Sequence, residues 1–306
     1  MEDLGPVARY RKIPLFAAAA MMSGFSLRAI YRWNTKYKKL FENWTPILNF
    51  HKIDDQKEWG INSISPSKFR EFLNYLKQND YKTITLKDYF VLLENKSLTR
   101  KHVVLCFDDG YADFAETAVP IMEEFGFTAT AFIITDYIGK YNNWDFQIGG
   151  HKFRHMDINQ IKDISERGFE IGSHTCSHPD LRLLNDSEIK DEIQISYDML
   201  SSYGINTEFF SYPFGLYNQR IKDIAIESGY KGAVAYYVHD RHPVKADRFA
   251  LERIGINSLD NLESFKIKLN SDHPMFPAMY MFGRTLSSIS LLTPLLLKQK
   301  RSPNYI

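Results

Sequence analysis

The residues best suited to chemistry fall in short clusters. Asp108 and Asp109 are adjacent carboxylates at the end of the apolar run Val103 to Phe107, and Gly110 follows them directly. A short apolar run bounded by a turn signal reads as a buried strand. Successive strand residues face opposite sides, so the two carboxylates point differently and can take different tasks once the chain turns at Gly110. Alone, Asp-Asp-Gly is ordinary turn chemistry. His174 and His178, in the stretch Glu170-Ile171-Gly172-Ser173-His174-Thr175-Cys176-Ser177-His178-Pro179, change that reading. Their i, i+4 spacing lets two rings converge, and neutral imidazole is the commonest nitrogen ligand of a divalent transition metal. A lone pair of this kind is more often solvated. Joined by a carboxylate from another strand end, it becomes a catalytic type of metal set, with positions left for water and substrate.

Phe107-Asp108-Asp109-Gly110-Tyr111, the histidine stretch, and Phe210-Ser211-Tyr212-Pro213-Phe214-Gly215 together resemble the polysaccharide deacetylase family, the NodB-homology domain of carbohydrate esterase family 4. The resemblance covers about residues 45 to 270. It implies a distorted (β/α) barrel with the site at the carboxyl ends of the strands. It also implies Asp108 as general base, and Asp109, His174 and His178 as ligands of a divalent metal, with zinc the expected ion. One branch of the family carries its last motif first, as an aromatic-His pair after the first strand. Phe50-His51 matches it, with no late Leu-x-x-His motif beyond residue 250, and in that branch the histidine is the general acid. The Phe214 N–H is then the oxyanion donor, since Pro213 has none. In the commoner form an arginine stands at the Ser211 position and orients the base, so that contact is in doubt here. Tyr212 and Trp144 are the expected sugar contacts.

The elements that must position these residues alternate. Pro46 to Ile53 reads as the first strand, and Ser65-Pro66 opens a helix with Phe69, Phe72, Leu73 and Leu76 on one face. Thr85 caps a second helix. After Phe107 come a helix to Phe125, a strand from Thr128 to Ile134, a helix capped by Asp157, a strand at 169–171 and a helix capped by Asn185 or Asp186. Strands at 208–211, 231–237 and 251–256 follow, then a last helix capped by Asp260. Alternation of this kind favours a parallel sheet with helices outside it. The connection Asp136 to His155 carries Tyr137, Tyr141, Trp144 and Phe146, rings that either stack on sugars or pack over the barrel wall.

At 306 residues, one barrel domain (45–270) with an N-terminal segment (1–44) and a C-terminal tail (271–306) is expected. The 38 basic and 37 acidic residues nearly cancel, which gives no field to favour nucleic acid. The two cysteines, Cys106 and Cys176, lie inside the motifs and suggest no disulfide framework, although a thiolate ligand role is conceivable. Residues Ile13 to Leu27 form a mostly apolar run after Arg9 to Lys12, readable as a signal or anchor, a membrane-surface helix, or a packed helix. Ile289 to Leu297, followed by Lys298, Lys300 and Arg301, is a second short apolar run. An extracytoplasmic or membrane-associated location is therefore favoured. The expected activity is metal-dependent removal of N-acetyl groups from a glycan or glycoconjugate. The competing expectations are an amidase or esterase acting on a small non-glycan substrate, and a glycan-binding protein without activity.

Overall fold

The computed structural model describes residues 44–55, 61–142, 152–236, 247–280 and 282–283. The expected Trp144 contact and both terminal apolar runs lie outside these residues. In chain order the elements begin with β1 (Ile47–Phe50), a small parallel pair β2 (Lys52–Ile53) and β3 (Ser63–Ile64), helix α1 (Pro66–Gln78), β4 (Lys82–Ile84) and α2 (Leu86–Glu94). Then come β5 (His102–Phe107), a π-helical turn leading into α3 (Val119–Phe125), β6 (Thr130–Ile133), α4 (Ile158–Glu166), β7 (Glu170–Ser173) and α5 (Asp186–Ser202). The chain continues through β8 (Phe209–Ser211), α6 (Gln219–Glu227), β9 (Gly232–Ala235), β10 (Leu251–Glu252), β11 (Ile254–Gly255) and α7 (Leu262–Leu269).

The large sheet is parallel, in the order β10-β9-β8-β7-β6-β5-β1-β11, with β4 branching from β5. Only Arg253 separates β10 from β11. One extended segment therefore pairs with β9 through Leu251 and Glu252, and with β1 through Ile254 and Gly255. It joins the two edges of the sheet into the expected distorted, nearly closed barrel.

The barrel interior is filled by Ile47, Val104, Cys106, Phe132, Phe209, Val234 and Leu251, and α2 plugs its amino-terminal end with Leu86, Tyr89 and Phe90. Phe90 stacks on Phe209 with ring centroids 5.5 Å apart. Each such side chain contributes about 1.5–3 kcal/mol when fully buried. The Phe132 ring fits because residue 172 is glycine, where a Cβ would come within 2.5 Å of that ring. A second core lies between strands and helices, where the expected α1 face of Phe69, Phe72, Leu73 and Leu76 is buried.

Thr85, Asp157 and Asn185 cap their helices with reciprocal capping boxes, and Ser65 caps α1. The last helix differs from expectation, because Asn261 is its cap. Asp260 instead pairs with the buried Lys268 at 2.7 Å and accepts the Ser264 hydroxyl. The packed body also runs past the expected boundary at 270, since Phe276, Met279 and Tyr280 are buried in the main core. Phe276 meets Trp44 edge-on at 5.4 Å, and the Tyr280 hydroxyl bonds Glu252. Among the described residues no helix is long and apolar enough to cross a membrane.

Candidate active site

The carboxyl ends of β5 and β7 deliver the expected set to one point. Past Phe107 the chain reverses through Asp109 and Gly110, at φ 72° and 71°. An asparagine-like left-handed conformation is tolerable for Asp, and Gly110 needs no Cβ where one would sit 3.1 Å from Ile133. Thr175 and His178 are also left-handed, at φ 68° and 60°, and the His178 N–H donates to Thr175 Oγ1 at 3.0 Å. This curl brings the rings of His174 and His178 to 4.7 Å.

Nε2 of His174 and Nε2 of His178 lie 3.6 and 3.7 Å from the same oxygen, Oδ1 of Asp109. Donor atoms of these three buried residues all fall within 4.8 Å of one another. The separations are longer than hydrogen bonds, as expected of ligands ranged about a shared point. His174 Nδ1 is 2.8 Å from the Ser211 carbonyl, and donation there leaves the Nε2 lone pair for a metal. Burial lowers the pKa of both histidines and keeps them neutral, the state a ligand needs. The chain thus carries a His/His/Asp set that fits a divalent ion. Cys106 and Cys176 are buried thiols outside that set, and burial pushes the Cys106 thiol up to about 12.

Asp108 sits beside this set, 4.0 Å from His174 Nε2, inside a polar network that the motifs do not contain. Arg253 is fully buried and grips Asp108 with both arms at 2.7 Å, while donating to Asn49 Oδ1 at 2.6 Å and Ser211 Oγ at 2.9 Å. Asn49 Nδ2 and Ser211 Oγ donate to the same carboxylate at 3.1 and 3.2 Å. Burial alone would raise the Asp108 pKa, but the Arg253 guanidinium holds it well below the usual carboxylate range. The doubt raised by Ser211 is therefore answered from elsewhere: the arginine comes from the barrel-closing segment, and Ser211 leaves room for it.

His51 follows β1 and lies within electrostatic reach of Asp108, His174 and His178. Its Nδ1 is buried with no hydrogen-bond partner among the described residues. Burial pushes its pKa down to about 4, with Asp108 opposing and Arg253 and Lys52 adding to the fall. Phe214 adopts φ 58°, ψ 8° in the short turn after β8, with its ring edge-on to His178 at 4.6 Å.

Tyr212 is corrected. It is fully buried on the helix side of the sheet among Leu181, Ile189, Ile193 and Phe210, and its hydroxyl donates to the Phe249 carbonyl at 3.0 Å. Strand alternation explains this: Ser211 faces inward to Asp108, so its neighbour faces out. Of the described loop aromatics, Tyr137 packs 5.2 Å from His155 and Tyr141 is 57% exposed. His155 was not anticipated. Its Nδ1 lies 2.8 Å from the Asp109 carbonyl, bracing the turn that carries that ligand. The readable signal for Arg253 and Asn49 was a polar residue on the inward face of an otherwise apolar strand.

Residues 95–233 match the family model described as polysaccharide deacetylase. The Bacillus subtilis (strain 168) protein YxkH, named for polysaccharide deacetylase, is 29% identical over 219 residues, spanning 69% of this chain and 71% of that one. The Staphylococcus aureus (strain N315) poly-beta-1,6-N-acetyl-D-glucosamine N-deacetylase is 28% identical over 144 residues, and the chain spans only 45% of its length. Among solved structures, the Streptococcus pyogenes deacetylase PplD in complex with acetate superposes with a TM-score of 0.63 at 25% identity, covering 74% of this chain and 98% of that one. IcaB from Ammonifex degensii, at 19% identity and a TM-score of 0.58, shares the fold over 78% of this chain and 97% of its own. Residues 95–233 thus carry a domain that matches the polysaccharide deacetylase family, and relatives and solved structures to which this chain is similar are named for that same activity.

Proposed function

We propose that the chain is a zinc-dependent hydrolase that removes N-acetyl groups from an N-acetylated sugar in a glycan. The observation that carries this reading is the His174, His178 and Asp109 set lying against the Arg253-held Asp108. Asp109, His174 and His178 would hold the ion, whose chemistry is Lewis acidity, able to polarise an acetamide carbonyl and acidify a water molecule. Relatives named for N-deacetylation of a polymer of N-acetylglucosamine, and for a deacetylase with acetate bound, support the amide of an acetylated sugar as substrate.

In this reading Asp108, kept ionised by Arg253, takes the proton of the attacking water. The Phe214 N–H donates to the tetrahedral oxyanion. His51 is neutral in the resting site, so it acquires a proton during turnover, from Asp108, and passes it to the leaving amine. Its unpartnered Nδ1 supports that role. The purified chain, loaded with zinc, is expected to release acetate from chito-oligosaccharides. His51→Ala should cripple this by roughly 10² to 10⁴ while leaving metal content intact. An aryl acetate, whose leaving group needs no proton, should suffer far less. Equal loss on both substrates removes His51 from the mechanism, and hydrolysis of aryl acetates without any acetate release from glycans overturns the glycan reading.

A membrane-surface location is proposed with it. The runs Ile13 to Leu27 and Ile289 to Leu297 have basic flanks. Trp44, just ahead of β1, packs against Phe276 at the amino-terminal end of the barrel, opposite the site. Anchoring there would leave the site facing away from the bilayer. Removal of residues 1 to 40 and 284 to 306 should release the protein from the membrane fraction, and an unchanged distribution would count against this.

A further inference from the structure

We propose that Glu192, on α5, is a positioning residue that sets metal affinity by holding the curl between the two histidines. This rests on the metal set above and deepens it. Glu192 is 3% exposed. Its Oε2 accepts the N–H of Cys176 at 3.0 Å and the N–H of Ser177 at 2.9 Å, and its Oε1 accepts the Ser177 hydroxyl at 2.6 Å. The Cys176 N–H also has the Glu192 main-chain carbonyl at 3.2 Å, so the side chain matters most to Ser177. On the other side of the curl, the N–H groups of Thr135 and Asp136 donate to the carbonyls of Thr175 and Cys176 at 3.1 and 3.0 Å. The backbone of 175–177 is thereby clamped from both sides, and only one jaw is a side chain.

The clamp has work to do because Thr175 and His178, both with side chains, are held at φ 68° and 60°. Left-handed residues other than glycine persist only where their surroundings over-determine them. Without the carboxylate, the part-buried Ser177 N–H would lose its partner, and the curl could open toward ordinary φ. Opening moves His178 relative to His174, which is fixed separately by β7 and the Ser211 carbonyl. The ligand spacing, and hence affinity, follows.

A matched control exists at the other end of the barrel. Glu170 accepts two backbone N–H groups, of Leu86 at 2.9 Å and Lys87 at 3.1 Å, and the Thr130 hydroxyl at 2.6 Å. Its bonding resembles that of Glu192, yet it holds the start of α2, far from the histidines.

The test is zinc titration of the metal-free full chain, with thermal unfolding of each metal-free variant. Glu192→Ala should weaken zinc binding by about 10- to 100-fold, the range seen when support outside the ligand set is lost. Glu192→Gln keeps an acceptor for the N–H pair and should recover most of that loss. Glu170→Ala should lower the unfolding temperature while leaving the zinc Kd within about two-fold of the parent. Should Glu192→Ala fail to fold, Glu192→Gln and Ser177→Ala must each still weaken zinc by a few-fold. Parent-like zinc affinity in every folded variant at 192 and 177, or equal weakening by Glu170→Ala, overturns the proposal. A parent chain that binds no zinc would instead sink the metal reading itself, so the two failures are distinguishable.

Discussion

The two ends of the barrel are built from the same strands and have opposite characters. At the amino-terminal end Ile47, Phe209 and Leu251 face inward and meet the apolar plug of α2. Two residues further along each of these strands stand Asn49, Ser211 and Arg253, which join Asp108 in one hydrogen-bonded network. A period of two keeps both sets on the inner face, so a single change of residue type divides a sealed end from a reactive one. The apolar end supplies rigidity, and the polar end keeps a buried charge that its close pairing with Arg253 makes tolerable. That contrast can be probed by disturbing each end in turn.

The largest expected effect is at the reactive end. Asp108→Asn keeps the shape but cannot accept a proton, so deacetylation should fall by roughly 10² to 10⁴ or more. Bound metal, measured by elemental analysis, should be unchanged, whereas Asp109→Ala, His174→Ala and His178→Ala should each lose it. Metal loss in Asp108→Asn equal to that in Asp109→Asn would show that the pair had been divided wrongly.

Next is Arg253→Met, which strips the buried Asp108 of its partner and should cost about 3–5 kcal/mol at neutral pH in denaturant unfolding. The sign with pH is fixed by the lowered Asp108 pKa. Its stabilisation is fully present above the unfolded carboxylate value of about 3.9 and is lost as pH falls through the folded value. The gap between parent and variant should therefore shrink on acidification. The acid limb of the rate profile should move upward in the variant, because Asp108 then stays protonated to higher pH. A gap that widens in acid would mean Arg253 does not act through Asp108.

A smaller effect of opposite slope belongs to the sealed end. Burial pushes the Glu170 carboxyl up to about 7, against the pull of its donors at Thr130, Lys87 and Leu86. A raised carboxyl favours the fold in full below its unfolded value of about 4.3, and that contribution is lost as pH rises through about 7. The parent should lose on the order of 1 to 3 kcal/mol across that window, and Glu170→Gln should not. Parallel stability curves for the two proteins would show that the three donors, and not burial, set its charge.

The scaffold was largely legible in the sequence, because its information is periodic and local. The α1 face and the caps at Ser65, Thr85, Asp157 and Asn185 follow from local spacing, and the structure places them as read. The reactive end was legible only where residues cluster along the chain. Asp108 and Asp109, or His174 and His178, announce themselves within a few positions. Arg253 lies 145 positions from the carboxylate it grips, and nothing local marks it beyond a charge on an inward strand position. Asp260 misled for the opposite reason: it looks like a cap, but Lys268 two turns on is buried and needs its charge. Tyr212 misled because a residue inside a motif need not face where the motif faces.

That last case yields the smallest predicted effect and the sharpest boundary between reactive and structural residues. Tyr212 directly follows Ser211, which bonds Asp108, yet its ring stacks on Tyr217 at 5.0 Å and its hydroxyl reaches the Phe249 carbonyl. Tyr212→Phe removes one hydrogen bond from a buried site and leaves a carbonyl unmet. The expected cost is about 1 kcal/mol, seen as a modest fall in Tm, with kcat and KM on chito-oligosaccharides within about two-fold of the parent. Had Tyr212 contacted sugar, the same change would raise KM while leaving Tm alone, because a substrate-facing hydroxyl supports nothing in the free protein. Measuring both quantities on one variant separates these cases: a raised KM at constant Tm would return Tyr212 to the site and move the boundary one residue outward along β8.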